Sequence, residues 1–200
     1  MSIAVKSVST RTAILDATDR LLTRYGYKKM TIDDLAQEVG IGKGSIYLHF
    51  SSKEEIALSH IDRIIERLQL KLREIADSRP TVEKRLREML RERVMFRFDS
   101  VQHYTRSLDD LLGKIRPSLL ERRRQYFADE AEIFAQVIAE GQRSKRLVKG
   151  DPLEIAHSLL IATNSLLPYS LSTDELGNRA DIEKRTQKTA EILINGLGNR

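Results

Sequence analysis

Residues 31–55, TIDDLAQEVGIGKGSIYLHFSSKEE, decide the fold of this chain. The pattern predicts a short helix, a glycine-containing turn, a second short helix and the capped start of a third. In the first helix, apolar residues recur at helical spacing at Ile32, Leu35, Ala36 and Val39. Thr31 is placed to cap that helix, with Asp34 as its reciprocal partner in a capping box. Gly40 and Gly42 then interrupt the periodicity and predict the turn.

The second helix, predicted over residues 43–50, has two unlike faces. At about 100° per residue, Ile46 and Phe50 fall on one side. The other side carries small, polar and aromatic residues, namely Gly44, Ser45, Tyr47 and Leu48. A short helix with two apolar anchors and such an outer face suits insertion into the major groove of DNA. The same pattern also fits a tight helical hairpin in an ordinary all-α core, so both interpretations stay open at this point.

The run from Thr31 to Phe50, followed by Ser52-Lys53-Glu54-Glu55, resembles the N-terminal domain of TetR-family transcriptional regulators. The resemblance takes in three earlier positions, Ala17, Leu22 and Gly26. The rest of the chain resembles the family only in its length and helical character. Many members have Ser or Thr where this chain has Gly42, so a hydroxyl cap is missing here.

The resemblance implies a DNA-binding surface at the matching positions, which are Thr31, Lys43, Gly44, Ser45, Tyr47, Leu48, His49 and Lys53. Ser45 and Leu48 are best placed at base edges, where a hydroxyl can hydrogen-bond and an apolar side chain can meet a thymine methyl. The other side chains are expected to hold phosphates, and Gly44 to permit close backbone approach. Since few of these groups make bidentate base contacts, we expect DNA shape to supplement direct readout.

Composition and charge agree with a DNA-binding protein of the cytoplasm. The 200 residues carry a net charge of +5 and no cysteine, which excludes disulfides and thiolate metal sites. Residues 1–53 hold 8 Lys and Arg against 5 Asp and Glu, so positive charge is denser beside the turn. Random scatter also explains so small an excess. No apolar run reaches the roughly 18 residues of a membrane span, and we expect a cytoplasmic protein.

The remaining chain is predicted to be helical, so the fold class is all-α. A mobile arm is expected at residues 1–9, and a helix at 10–25 whose inner face includes Tyr25. A long helix is expected to start after Ser52, with Glu55 as the reciprocal capping partner, and to end before Pro80. Further helices are predicted at residues 82–98, 101–113, 117–145, 153–171 and 180–197.

These helices imply two domains joined by the long helix. Residues 1–53 form a predicted three-helix, helix-turn-helix DNA-binding domain, and residues 54–200 a ligand-binding and dimerisation domain. The last two helices are expected to pair with their copies in a homodimer, because the helix at 153–171 is apolar on more than one face. Operator reading by this motif also usually needs paired half-sites. Burial within one monomer is the alternative explanation of that apolar helix.

The resemblance further implies a small-molecule chamber among residues 81–172. Its occupation would move the long helix and change the half-site spacing, which weakens DNA binding. The candidate polar contacts are His103, Tyr104, His157 and Asn164, and the candidate apolar walls are Phe96, Phe98, Tyr126 and Leu160. Ordinary core packing is the competing explanation for each of these residues.

Signals for an enzyme are weak. Glu154 and His157 have the spacing of one half of a di-metal bundle site, but no second Glu-x-x-His completes it. Asp109-Asp110 lacks the further aspartate of a magnesium motif, and no phosphate loop or serine elbow appears. Arg122-Arg123-Arg124 is predicted to be a solvated helix face, with an acidic ligand or a second DNA contact as the alternatives.

We therefore predict a transcriptional regulator that is not an enzyme and uses no metal or other cofactor. The expected form is a homodimeric repressor that binds palindromic operator DNA and is released by a small molecule. The alternative is a helical-bundle enzyme or adaptor that uses the turn as a structural hairpin.

Overall fold

The chain folds as an all-α protein, as predicted. Its computed structural model describes the backbone of residues 2–101, 108–167 and 177–198, and the side chains of 10–100, 115–167 and 177–198. The described helices are α1 (Ser2–Lys29), α2 (Ile32–Val39), α3 (Lys43–Tyr47), α4 (Lys53–Ala76), α5 (Val82–Val101), α6 (Leu108–Arg143), α7 (Pro152–Asn164) and α8 (Arg179–Gly196). No helix among them combines the length and the apolar character of a membrane span.

Contacts within the described residues define two compact units. Unit 1 contains residues 2–64 and 108–122, and unit 2 contains 65–101, 123–167 and 177–198. Helices α4 and α6 therefore contribute residues to both units. The unit that carries the helix-turn-helix is larger than residues 1–53, because Ile115 of α6 is buried in its core. The functional boundary after residue 53 stays a prediction.

The core of unit 1 lies beneath α1, α2 and α3. The inner face of α1 buries Ile14, Thr18, Leu21 and Leu22. Tyr25, predicted on that face, is instead exposed, and Tyr27 and Met30 are buried. Gly26, whose φ is 74° and ψ 168°, interrupts the helical backbone directly after Tyr25 and redirects the residues that follow it. Glycine adopts this positive φ without the clash that a Cβ would bring.

The predicted mobile arm at residues 1–9 and the predicted break at residues 113–117 are both wrong. The expected mobile arm at residues 1–9 is helical from Ser2, because extending a nucleated helix adds one hydrogen bond per residue even where propensity is mediocre. The break predicted at residues 113–117 is absent, since α6 runs through Pro117. A helix-interior proline loses a backbone hydrogen bond. Ile115 and Leu119 on either side pack into the unit 1 core and hold the helix in place.

The core of unit 2 is built from the later part of α4 together with α5, the later part of α6, α7 and α8. Helix α8 lies within one residue of its predicted bounds, whereas α7 ends at Asn164 rather than at 171. Residues 168–171 of that prediction lie outside the described part. Helix α7 is not buried all round in the single chain, because Ile161 is 62% exposed. On α8, Ile192 is 61% exposed.

Candidate functional site

The turn between α2 and α3 is fixed by local hydrogen bonds that the sequence predicts. The Asp34 amide donates to Thr31 Oγ1 at 3.1 Å, and the Thr31 amide donates to Asp34 Oδ2 at 2.9 Å, so the capping box is confirmed. Gly40 ends α2 in the left-handed region at φ 75°, and the Ile41 amide donates to the Ala36 carbonyl at 2.9 Å. A rigid turn therefore sets the direction in which α3 leaves α2.

Helix α3 has one buried side and one exposed side. Ile46 is fully buried and Phe50 is 2% exposed, whereas Leu48 is 83% exposed and Tyr47 is 50% exposed. The helix is shorter than predicted, ending at Tyr47 with Leu48 as C-cap. Its last turn tightens, because the His49 amide donates to the Ile46 carbonyl at 3.0 Å. The tightening keeps Phe50 in the core and leaves Tyr47 and Leu48 facing outward.

The predicted DNA-contact residues all lie on unit 1, around α3 and the first residues of α2 and α4. Thr31, Lys43, Gly44, Tyr47 and Leu48 are exposed, and Ser45, His49 and Lys53 are half-buried. The two lysines are already engaged within the protein. Lys43 Nζ lies 2.9 Å from Asp33 Oδ2, and this hydrogen bond and charge raise the pKa of Lys43. Lys53 Nζ lies 4.3 Å from the centre of the Tyr27 ring.

The charge of Lys53 also reaches the N-terminus of α2. The pKa of Asp34 is lowered chiefly by its hydrogen bonds with Thr31 and further by the Lys53 charge. Beneath Lys53, burial raises the pKa of Tyr27 to about 12, with a further contribution from the carboxylate of Glu54. The tyrosine stays neutral at physiological pH, and its ring supports the lysine through a cation–π contact.

The two glycines at the start of α3 are not required by packing. Gly42 is the N-cap of α3 and offers no side-chain cap, as predicted from its departure from the family pattern. A Cβ added to Gly42 or Gly44 would meet no atom of the described chain within 4 Å. Both positions have ordinary room for a side chain, so the fold alone does not explain the absence of one.

A chain of polar contacts that sequence reasoning missed reaches the end of α3. Arg11 of α1 donates to the His49 carbonyl and to Ser59 Oγ, each at 3.1 Å, and its guanidinium lies 4.3 Å from the centre of the Phe50 ring. Ser59 Oγ donates to Glu55 Oε1 at 3.2 Å. Arg122 of α6 donates to Glu55 Oε2 at 3.1 Å. We call these residues, Arg11, His49, Ser59, Glu55 and Arg122, the polar chain.

The polar chain corrects two predictions. Arg122 was expected on a solvated face, but it is ion-paired with Glu55 and Asp62 of α4, while Arg124 is exposed as predicted. Glu55 was expected to return a hydrogen bond to the α4 cap, but its carboxylate accepts from Ser59 and Arg122 instead. The other half of that cap is present, since the Glu55 amide donates to Ser52 Oγ at 3.1 Å. Local spacing carries no signal of partners 67 residues away.

The predicted ligand contacts lie in unit 2, but they do not share one environment. Phe98 is buried in a cluster with Val94, Met95 and Ile182. Phe96 is partly buried against the main core, with Lys71 Nζ 5.1 Å from its ring centre. His157 stacks on Phe127 with ring centres 5.5 Å apart, and Tyr126 is half-buried. Leu160 and Asn164 contact Arg93, which forms a buried ion cluster with Arg97 and Glu130. His103 and Tyr104 lie outside the described residues.

The buried ion cluster joins α5, α6 and α7 and was also missed from the sequence. Arg93 Nε donates to Glu130 Oε2 at 2.6 Å, and Arg97 Nη2 donates to Glu130 Oε1 at 2.7 Å. Arg93 also donates to three groups of α7, namely the Leu160 carbonyl, Thr163 Oγ1 and Asn164 Oδ1. Glu130 is fully buried, and Arg93 is 1% exposed. A charged group at this depth is stable only when it is paired and hydrogen-bonded.

The described side chains contain no group of three His, Cys, Asp or Glu residues that could hold a metal ion. Glu154, one of the two residues with di-metal spacing, is exposed. The other, His157, is half-buried and stacked on Phe127 as described above.

Comparison with known proteins identifies the family of the helix-turn-helix region. Residues 14–59 match the family described as bacterial regulatory proteins, tetR family. The fatty acid metabolism regulator protein of Bacillus subtilis (strain 168) is 23% identical over 195 residues, which are 94% of this chain and 95% of that protein. The matched residues contain the helix-turn-helix described above, so this part of the chain is a TetR-family DNA-binding domain of the kind found in transcriptional regulators.

Solved structures agree at the level of the fold. A TetR-family transcriptional regulator from Pectobacterium atrosepticum matches with a TM-score of 0.77 at 17% identity, covering 98% of this chain and 97% of that one. The transcriptional regulator FadR from Bacillus subtilis, solved in complex with stearoyl-CoA, matches with a TM-score of 0.64 at 18% identity. That match covers 93% of this chain and 98% of the other.

Proposed function

We propose that this regulator is a homodimeric repressor that reads a palindromic operator through α3 and is released by a small-molecule effector. Residues 1–53 are the proposed DNA-binding domain, and residues 54–200 the proposed ligand-binding and dimerisation domain. The observation that carries the DNA-binding part is the contrast on α3 between fully buried Ile46 and largely exposed Leu48. A helix anchored from behind, with an apolar side chain in water, is arranged to contact something outside the protein.

Three further features support DNA as that contact. Leu48 and Tyr47 offer an apolar group for a thymine methyl and a phenol for a phosphate. Gly44 has no packing reason to be glycine, which suits close approach of a phosphate backbone to the start of α3. Lys43 is held by the exposed carboxylate of Asp33, a surface pair of small energy that a phosphate can replace.

Leu48 and Lys53 should affect DNA binding in different ways. We expect Leu48→Ala to change the preferred bases, because an exposed apolar side chain at a base edge reads sequence. Lys53→Met keeps the apolar stem over Tyr27 and removes the charge. It should weaken binding to all duplexes similarly and reduce the slope of log affinity against log salt by about one. Fluorescence anisotropy on an operator selected from random duplexes, and on its single-base variants, measures both effects.

The same titrations test the proposal itself. Wild-type affinity that falls steeply with salt and is lost on scrambled duplexes supports operator binding. Affinity that ignores salt, or an identical loss on every duplex from both substitutions, contradicts the assigned roles. The alternative of an enzyme or adaptor has no such observation in its favour, and the matching relatives are transcription regulators.

The proposed dimer rests on the outer faces of α7 and α8. Ile161 and Ile192 are each more than three-fifths exposed, although the neighbouring residues Leu160 and Ile194 are fully or almost fully buried. Two helices that each keep a large apolar side chain in water beside a buried stripe are suited to a four-helix contact with a second copy. Burial inside one chain does not account for these two residues.

Ile161→Asp should convert the dimer into monomers, because the new carboxylate would be buried without a partner. Light scattering after gel filtration should show half the wild-type mass, and operator affinity should fall by at least tenfold as paired half-site binding is lost. Leu70→Asp is the matched control, because Leu70 is also more than half exposed but lies on α4. A wild-type monomer, or equal effects of both variants, would exclude this interface.

The proposed effector acts through helices that contribute to both units. Ligand bound in unit 2 would shift α4 and α6 and thereby lower the affinity of the protein for its operator. Bound operator must in turn lower the affinity for the ligand, and by the same factor. The candidate ligand contacts keep their proposed roles. Leu160 and Asn164 contact the buried ion cluster, and the other described candidates lie elsewhere on α5, α6 and α7, namely Phe96, Phe98, Tyr126 and His157. The stearoyl-CoA complex of the Bacillus FadR protein supports the presence of a small-molecule site in this fold.

A further inference from the structure

The backbone that follows α3 is held by a side chain from another helix. The last carbonyl groups of a helix have no hydrogen-bond partner within it. The His49 carbonyl, two residues beyond the end of α3, accepts from Arg11 Nη1 of α1 at 3.1 Å. A helix of five residues cannot fix the position of its own end, because it is too short to be stable alone. The contact at His49 therefore bears directly on where Tyr47 and Leu48 point.

The Arg11 guanidinium contacts three groups at once. Besides the His49 carbonyl, it binds Ser59 of α4, since Arg11 Nη2 donates to Ser59 Oγ at 3.1 Å. Its central carbon lies over the buried Phe50 ring, 4.3 Å from the ring centre. A planar guanidinium can donate two hydrogen bonds from its edge while it lies over an aromatic ring. Arg11 thus links α1, the end of α3 and α4 within unit 1.

Ser59 is oriented to receive this hydrogen bond. A serine hydroxyl has one proton to donate, and that proton is directed at Glu55 Oε1, 3.2 Å away. The lone pairs of the hydroxyl oxygen are then left for Arg11. Arg122 of α6 donates to the other oxygen of Glu55 at 3.1 Å and so fixes the carboxylate. Donors and acceptors therefore follow one consistent order along the polar chain, up to its contact with the His49 carbonyl.

We propose that Arg11 is a positioning residue for the reading of sequence, which orients the exposed side chains of α3 without itself contacting DNA. This inference rests on the proposed function, which assigns base contacts to Ser45 and Leu48. It adds a residue of α1 that lies before the matched residues 14–59. A side chain that is displaced from a base edge loses its preference for that base, because hydrogen bonds and methyl contacts act over short distances.

The test compares Arg11→Met with the wild type by fluorescence anisotropy on the selected operator and its single-base variants. Methionine keeps an apolar stem near Phe50 and removes both hydrogen bonds. Operator affinity should fall by about tenfold, and the preference for the operator over its base variants should narrow by about fivefold. The slope of log affinity against log salt should change by less than about half a unit, because no phosphate contact is lost. Arg11→Lys should restore little of the preference, since lysine lacks the forked donors.

Ser59→Ala tests the same contact from α4. It should narrow the preference by a smaller factor, and the double variant should be no worse than Arg11→Met alone, because the two changes remove a shared hydrogen bond. Arg24→Met is the control, since Arg24 is an exposed cation further along α1 and its loss should leave the preference unchanged. Circular dichroism verifies that each variant is folded at the temperature of the titrations.

Three results for Arg11→Met would overturn the inference. Affinity lowered by one factor on every duplex would mean that Arg11 stabilises the fold and does not orient α3. A salt slope reduced by about one, and restored by Arg11→Lys, would mean that Arg11 binds a phosphate. Affinities equal to those of the wild type would mean that the contact has no effect on binding. A wild type that does not discriminate between duplexes removes the proposed function as well, whereas a discriminating wild type with an unchanged preference in Arg11→Met removes this inference alone.

Discussion

Glu130→Gln should lower the free energy of unfolding of unit 2 by about 3–5 kcal/mol. The substitution keeps the shape of the side chain but removes the negative charge that lies 2.6 Å from Arg93 Nε and 2.7 Å from Arg97 Nη2. Both guanidinium groups would then lose the carboxylate that they share. Urea unfolding followed by circular dichroism at 222 nm measures the loss. The midpoint urea concentration should fall while the slope of the free energy against urea concentration stays constant.

Glu132→Gln is the matched control for this prediction. Glu132 lies two residues further along α6 and is exposed, so its neutralisation should change stability by no more than about 0.5 kcal/mol. The double variant Arg93→Gln with Glu130→Gln should be less destabilised than the two single losses added together, because each removes the partner of the other. Equal midpoints for Glu130→Gln and the control would show that the cluster is not a structural ion pair.

Ile46→Ala should cost about 2–5 kcal/mol of unit 1 stability, since it removes a fully buried side chain and leaves a cavity behind α3. A five-residue helix has little stability of its own, and its place depends on that anchor. Thermal unfolding should show the loss. Operator binding should weaken even at temperatures where the variant is folded, because the exposed residues of α3 would no longer be held in one orientation.

Leu48→Ala separates these two effects. It removes an apolar side chain two positions from Ile46, but from a site that is 83% exposed, so stability should stay within about 0.5 kcal/mol of the wild type. Operator preference should nevertheless change, as described above. If the two substitutions produced the same loss of stability, α3 would not have the inner and outer faces on which the proposed DNA contact depends.

The parts of the molecule that the sequence predicted well are those set by near neighbours. The capping box of Thr31 and Asp34 spans three residues, and the turn at Gly40 depends on one backbone conformation. The division of α3 into an inner and an outer face follows from 100° per residue. Such features are encoded within one turn of helix, so periodicity and capping chemistry are enough to find them.

The features that could not be predicted depend on contacts between distant residues. Arg122 looked like one member of a basic run, yet it pairs with residues 60 and 67 positions earlier. Helix α6 continues through Pro117 because core contacts on both sides outweigh a local propensity. The buried ion cluster brings Arg93 and Glu130 together from 37 residues apart. Periodicity states which residues face inward, but it does not state which inward charges meet.

The polar chain has a consequence for building hybrid regulators. Arg11 and His49 lie before residue 53, while Glu55, Ser59 and Arg122 lie after it. Joining residues 1–53 to the ligand-binding domain of another regulator would place Arg11 against different side chains. The end of α3 would then lose the contacts of the polar chain. A hybrid that also carries residues 54–64 and 108–122 would keep the hydrogen bonds of the polar chain described above. The segment to exchange between regulators is therefore discontinuous in sequence, because it combines residues 1–64 with residues 108–122.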